Sequence, residues 1–161
     1  MNRGYHEIKE HGKREFPFNI YPCSIPVDFS HVALHWHEEM EIIAVKKGKG
    51  RITVDTVSYP VEEGDILAVF PGQLHAISCG NGERMEYENI IFHPNMLISK
   101  KTDTCNTDYL VPLLSGNVSL PLLYTPDSPH YAEISACIDA NDEICKTYPV
   151  SYTHLTLPTI R

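Results

Sequence analysis

The sequence predicts a mainly β chain, a sandwich or barrel of short strands followed by helices. Three observations carry this. From Phe16 to Phe92, apolar and alternating stretches recur with a turn about every 8–12 residues. Beyond His93-Pro94 that rhythm stops. After Ser128-Pro129, apolar residues recur at helical rather than strand spacing.

The elements follow in order. Phe16-Pro17-Phe18-Asn19-Ile20-Tyr21 reads as an extended aromatic arm, because proline disfavours helix in the residue before it. His31 to His37 and Glu41 to Val45 read as strands, the second strongly apolar. Gly48 and Gly50 bracket a turn, so the basic run Lys46-Lys47-Gly48-Lys49-Gly50-Arg51 is expected at a hairpin tip. Arg51 to Asp55 and Val57 to Val61 alternate in polarity, and Glu62-Glu63-Gly64-Asp65 turns the chain into Ile66 to Phe70. Pro71-Gly72 turns it again before Leu74 to Cys79, and Asn81-Gly82 leads into a last strand, Met85 to Phe92.

Asn95 to Ser99 and Asp108 to Leu114 are expected as short helices, with a polar loop between them. Ser128 reads as a helix cap with Pro129 at the first helical position. Ile134, Ile138 and Cys145, with Cys137 and Ile144 alongside, make one apolar face reaching about Thr147. The last stretch differs. Residues 150–160 contain no Asp, Glu, Lys or Arg, and Val150-Ser-Tyr-Thr-His-Leu-Thr-Leu-Pro-Thr159 resembles a translated sequencing adaptor. We therefore expect 150–161 to be a non-native tail and leave it out of fold reasoning.

Composition narrows the function. The chain has 161 residues, 42% hydrophobic and 21% charged, which suits one soluble globular domain. It carries 13 Lys and Arg against 21 Asp and Glu, a net charge of −8, so the chain has no basic surplus for binding nucleic acid. The apolar runs, such as Ile66 to Phe70, are too short to span a bilayer, and Met1 to Glu7 lacks the apolar core of a secretory signal. Cys23, Cys79, Cys105, Cys137 and Cys145 are odd in number with no CxxC spacing, the pattern of reduced thiols in a cytoplasmic protein. Cys79 stands four residues from His75, but no base and orienting group activate it. The Lys47-Gly48-Lys49-Gly50 run is no phosphate loop.

Chemistry concentrates in His35-Trp36-His37-Glu38-Glu39-Met40-Glu41. On one strand, positions 35, 37 and 41 share a face, which sets two imidazoles and a carboxylate side by side. His75, after the Pro71-Gly72 turn, is the fourth candidate. Such a set suits a divalent ion of zinc, iron, manganese or nickel. Neutral imidazoles can equally line a metal-free pocket and serve hydroxyl groups, and that is the favoured expectation. Glu38 and Glu39 read as solvated rim charges, Trp36 as packing on the opposite face, and His6, His11, His31 and His130 as surface.

The spacing of His35, His37, Glu41 and Gly48 resembles the first cupin motif, and Gly64, Pro71, Gly72 and His75 partly meet the second. The second departs twice: six residues separate Gly64 from Pro71 where five are usual, and Cys79 stands where cupins often carry Asn. The wider text, with an aromatic arm, HWHEEMEIIAVKKGKGRI and YPVEEGDILAVFPGQLH, is similar to the N-terminal regulatory domain of AraC-type transcriptional regulators.

That resemblance implies a cupin-like double-stranded β-helix, a jelly-roll barrel, that senses a small molecule such as a sugar. It also implies helices that pair two copies, and DNA binding through a C-terminal helix-turn-helix region that this fragment lacks. On this reading residues 1–125 hold the sensing barrel with its arm, and 126–149 begin the dimerisation helix. The effector would be held by His35, His37, Glu41 and His75, with Phe16, Phe18 and Tyr21 closing over it. The alternative is a small cupin metalloenzyme, a sugar isomerase or a metal dioxygenase, using the same four residues as ligands.

Overall fold

The computed structural model describes residues 3–9, 11, 12, 15–98 and 103–147. The expected tail at 150–161, and residues 148 and 149 before it, lie outside the described residues.

Among the described residues the fold has eight strands and two α-helices: β1 (Phe18–Ile25), β2 (His31–His35), β3 (Met40–Val54), β4 (Val57–Glu62), β5 (Ile66–Val69), β6 (His75–Ser78), β7 (Met85–Phe92), α1 (Val111–Leu114), β8 (Leu123–Tyr124) and α2 (Tyr131–Thr147). All strand pairs within the sheets are antiparallel. The fold is mainly β, as expected, with helix α2 following the strands.

β3 organises the sheets. Its first half pairs with β7 and β5, and its second half pairs with β4 and β6. The hairpin tip expected at Gly48 and Gly50 is therefore a correction: these glycines lie inside one 15-residue strand. The register against β7 shifts between Val45 and Lys47, and Gly48 takes φ 79°, a conformation costly for any residue with a Cβ. The strand bends there without ending. The bulge also changes which side chains face inward. Ile43 and Val45 enter the core before it, and Ile52 and Val54 after it.

That core lies between the two sheet regions. Tyr21, Cys23 and Ile25 of β1, Leu67 and Val69 of β5, and Met85, Tyr87 and Ile91 of β7 meet Val61 of β4 and Ile77 of β6. A second cluster covers the outer face. Ile20, Ala44, Ile66 and Ile90 pack under Ile138 of α2, with Phe18, Tyr131, Ile134 and Cys145 around them. Burying one such side chain contributes roughly 1.5–3 kcal/mol, so one face of α2 is enough to hold it on the sheet.

The helix differs from expectation at its start. Ser128 Oγ accepts from Thr125 N (2.9 Å), closing a turn before the helix, and His130 takes φ 63°. Regular structure begins only at Tyr131, whose hydroxyl donates to the Gly64 carbonyl (2.5 Å). Ile134, Ile138 and Cys145 face the sheet as expected, whereas Cys137 and Ile144 point outward. The expected helix over Asp108 to Leu114 begins earlier, as a π-helical turn at Asn106–Leu110 that runs into α1. That over Asn95 to Ser99 shortens to a 3-10 turn at Pro94–Met96, opened by Asn95 N donating to His93 Nδ1 (3.2 Å).

A candidate metal centre under an N-terminal strap

His35 ends β2 and His75 begins β6, and the two pair directly across the sheet. His37 follows in the bend that carries the chain to β3, where Glu41 pairs with Val69 on one side and Ile91 on the other. The three motif residues thus do not share one strand, as the alternation suggested. The chain breaks its strand at 36–39 to pass from one sheet region to the next, and the barrel's curvature makes the side chains converge.

Convergence is tight. The ligand atoms of His35, His37, Glu41 and His75 all lie within 4.8 Å of one another. Glu41 Oε2 is 3.0 Å from both His37 Nε2 and His75 Nε2, and the Glu41 and His75 side chains are 3% and 0% exposed. Burial alone would raise the Glu41 carboxyl, but His75 and His37 against it hold it well below the usual range. Burial likewise opposes charge on His37, yet Glu41, with Glu7 and Glu39, outweighs it and lifts that imidazole above its ordinary value. For His35 burial prevails, reinforced by His75, and its value falls.

The outer ring nitrogens decide what the inner ones can do. Nδ1 of His35 lies 2.9 Å from the Ala33 carbonyl, Nδ1 of His75 lies 2.9 Å from that of Gln73, and Nδ1 of His37 lies 3.2 Å from that of Glu39. A carbonyl only accepts, so each Nδ1 carries the proton and donates, which leaves each neutral ring's Nε2 a bare lone pair facing inward. His37 Nε2 is hydrogen-bonded to Glu41 Oε2 at 3.0 Å and so holds a proton in the metal-free centre, while the lone pairs of His35 and His75 and the carboxylate are acceptors. His75 Nε2, close as it is to Glu41, is misaligned for a hydrogen bond and has no partner. A proton on His37, an O–H donor or a cation placed between these groups satisfies them. Bonds of about 2.0–2.2 Å to nitrogen and oxygen put donors on opposite sides of one ion about 4–4.4 Å apart. The cluster can hold a metal ion.

Glu7, which no motif marks, and His11, expected at the surface, join this site. His6 forms a parallel bridge with Trp36, whose ring it stacks on at 4.2 Å. Glu7 N donates to the Trp36 carbonyl (3.0 Å), and Trp36 N donates to that of Tyr5 (2.9 Å). The strap so formed carries Glu7 Oε2 to 3.5 Å from His35 Nε2 and 3.6 Å from His11 Nε2. His11, expected at the surface, is 4% exposed, with Nδ1 3.0 Å from the Tyr21 hydroxyl and its ring 5.9 Å from that of His37. Burial would raise the Glu7 carboxyl, but His11, His35 and His37 more than offset it and hold it low. No motif in the sequence marks Glu7 or His11, because the ligand histidines they face, His35 and His37, lie far along the chain.

Of the aromatic candidates, Tyr21 faces the core and reaches the site through His11. Phe18 does not come to it. Its place on β1 is of the opposite parity, and it packs with the α2 cluster, with Phe16 beside it at 5.6 Å and 39% exposed. Glu38 is exposed as expected, while Glu39 is half-buried with Oε2 3.6 Å from His37 Nδ1.

The AraC-like ligand-binding domain model matches residues 26–140, well over half of the chain. The chain belongs to that family, the ligand-binding domains of AraC-type transcriptional regulators. It is 24% identical over 134 residues to the uncharacterized HTH-type transcriptional regulator YdeC of Bacillus subtilis (strain 168), covering 83% of this chain. It spans 45% of that relative's length. Similar solved structures include the Schizosaccharomyces pombe Cnp3 cupin domain, with TM-score 0.46 and 12% identity over 53% of this chain and 61% of that one. A cupin protein from Bacteroides fragilis gives 0.40 and 24% over 52% and 69%. No described helix is long and apolar enough to cross a membrane.

Proposed function

We propose that this chain is the sensing part of a cytoplasmic transcriptional regulator, and that its signal is read at the His35, His37, Glu41 and His75 centre. The carrying observation is the donor set: three imidazoles whose Nδ1 protons are committed to backbone carbonyls, facing one carboxylate. We read the four as ligands of a divalent ion of zinc, iron, manganese or nickel. This departs from the expected metal-free pocket, because three inward ring nitrogens and a carboxylate oxygen within 4.8 Å of one another suit the coordination sphere of one ion. A bound cation would supply Lewis acidity and a point of attachment for oxygen atoms.

The effector that fits is small and rich in oxygen. A sugar qualifies, since adjacent hydroxyls chelate a cation. Output would pass through α2, whose outward residues Cys137 and Ile144 are free to pair with a second copy. DNA contact belongs, on this reading, to the part of the relative's length that this chain does not span. We favour sensing over catalysis because the family is one of ligand-binding domains.

The test is a thermal-shift screen of monosaccharides and sugar acids against the chain, metal-free and loaded with Zn²⁺, Mn²⁺ or Ni²⁺. A compound that stabilises only the loaded chain, and not its Glu41→Gln variant, supports the reading. Equal stabilisation of the metal-free chain overturns the metal-dependent site. Consumption of the compound overturns sensing in favour of an enzyme.

A further inference from the structure

Resting on the reading of the four-residue centre as a cation site, we propose that Glu7 is an additional donor to that site. The N-terminal strap carries it, so cation binding and docking of the strap are one linked equilibrium. Four observations lead there. Glu7 is the only carboxylate among the described residues that the strap brings to the cluster, and its side chain is 8% exposed. It approaches His35 at Nε2, the inward nitrogen, at 3.5 Å. Neighbouring donors on one ion with bonds near 2.1 Å stand about 3.0–3.4 Å apart; Glu7 is close to that spacing from His35 and lies outside the set of four, so it joins them by moving inward.

The third observation is the other neighbour of this carboxylate. His11 Nε2 is buried and has no hydrogen-bond partner, although Glu7 Oε2 lies 3.6 Å away. His11 is itself steadied by Tyr21 at Nδ1. An imidazole held this way, next to a carboxylate that also faces a ligand histidine, is the outer support that fixes a donating carboxylate. Fourth, the strap is attached by weak means. Its contacts among the described residues include two backbone hydrogen bonds to Trp36, one ring stack, Lys9 Nζ 4.9 Å from the Tyr21 ring centre and the Glu7 contacts with His35 and His11, while Tyr5, His6 and Ile8 are exposed. A segment so lightly held is one whose population a single strong ligand bond can shift.

The chain contains its own reporter, because Trp36 is its single tryptophan and stacks on the strap. Zn²⁺ alone is the probe. Titration calorimetry gives its affinity, and Trp36 emission with the rate of lysyl endoprotease cleavage after Lys9 gives strap docking. Zn²⁺ is expected to slow cleavage after Lys9 and change Trp36 emission in the unaltered chain. Glu7→Gln, which keeps the shape, is expected to weaken Zn²⁺ binding about tenfold and to abolish both strap responses. His6→Ala, which loosens the strap but keeps the carboxylate, is expected to weaken binding less. Unchanged affinity in Glu7→Gln, or Zn²⁺-induced protection of Lys9 that survives it, overturns this inference alone. Absence of Zn²⁺ binding by the unaltered chain overturns it together with the cation site.

Discussion

Lys46 and Asp142 stand 96 residues apart in sequence, yet Lys46 Nζ donates to Asp142 Oδ2 at 3.1 Å. The same ammonium lies 3.0 Å from Glu88 Oε2, so one cation on β3 joins carboxylates from β7 and α2. Both carboxylates are shielded, whereas the lysine is 40% exposed. Lys46→Met leaves two neighbouring carboxylates facing each other without a counter-charge. Losing one partner of a fully buried pair costs about 3–5 kcal/mol, and solvent access to this one reduces that to roughly 1–2 kcal/mol. Urea denaturation should show that loss, with Lys46→Arg close to the unaltered chain. A Lys46→Met protein of unchanged midpoint would mean that apolar packing alone seats α2.

Gly48 and Gly82 both take positive φ, 79° and 76°, but in different surroundings. A Cβ on Gly48 would run into the Arg84 carbonyl, part of the backbone of the neighbouring segment, while one on Gly82 meets nothing within 4 Å. Gly82→Ala should therefore cost only the conformational penalty, about 1 kcal/mol. Gly48→Ala should cost roughly 3 kcal/mol or more, or prevent folding. Thermal melts of the two variants test this. Equal costs would show that the bulge in β3 can move to relieve the clash.

The same glycine shows where sequence reading stopped. Short strands and their turns were legible because alternation and turn dipeptides are local properties, and β4 to β7 fall where they were expected. Gly48 was read as a turn because a glycine in left-handed conformation serves a hairpin and a bulge equally well. Only the pairing partners on either side tell them apart. The four-residue cluster was legible from spacing. Glu7 and His11 were not, since a strap that forms a single bridge has no periodicity to betray it. Phe18 cannot join Tyr21 at the site for a simple reason of parity: it stands three residues from Tyr21 on one strand, and so on the other face.

Thiol reactivity should follow burial. Loss of hydration pushes the Cys23 thiol up to about 12, with the Glu41 charge adding to it, and Cys23 is 5% exposed. Cys105 and Cys137 are exposed. Since the thiolate is the nucleophile, iodoacetamide at pH 8 should label Cys105 and Cys137 first, and Cys23 only after denaturation. Peptide mass spectrometry after timed quenching reads the order. Early labelling of Cys23 in the folded chain would mean that the core beside Glu41 opens far more often than its packing implies.

Metal removal offers the last prediction, and its sign follows from mass action. A cation that binds the folded centre and not the unfolded chain stabilises folding by about 2.7 kcal/mol at one hundred times its dissociation constant. For a domain of this size that is a rise of roughly 5–11 °C in Tm. Scanning calorimetry of the Zn²⁺-loaded chain, repeated after exhaustive chelation, should show that difference. His75→Ala removes a wholly buried ring and lowers the metal-free Tm through packing alone, so its absolute Tm says little about ligation. The informative quantity is the shift on adding Zn²⁺, which should vanish in His75→Ala and in Glu41→Gln while persisting in Cys79→Ala, a thiol outside the cluster. Glu41→Gln adds a second check. With the carboxylate gone, the histidines no longer face a buried negative charge, and the metal-free protein should lose less stability than His75→Ala does. A Zn²⁺ shift of the same size in all three variants would place the ion elsewhere on this acidic chain and would refute the assignment of His35, His37, Glu41 and His75 as its ligands.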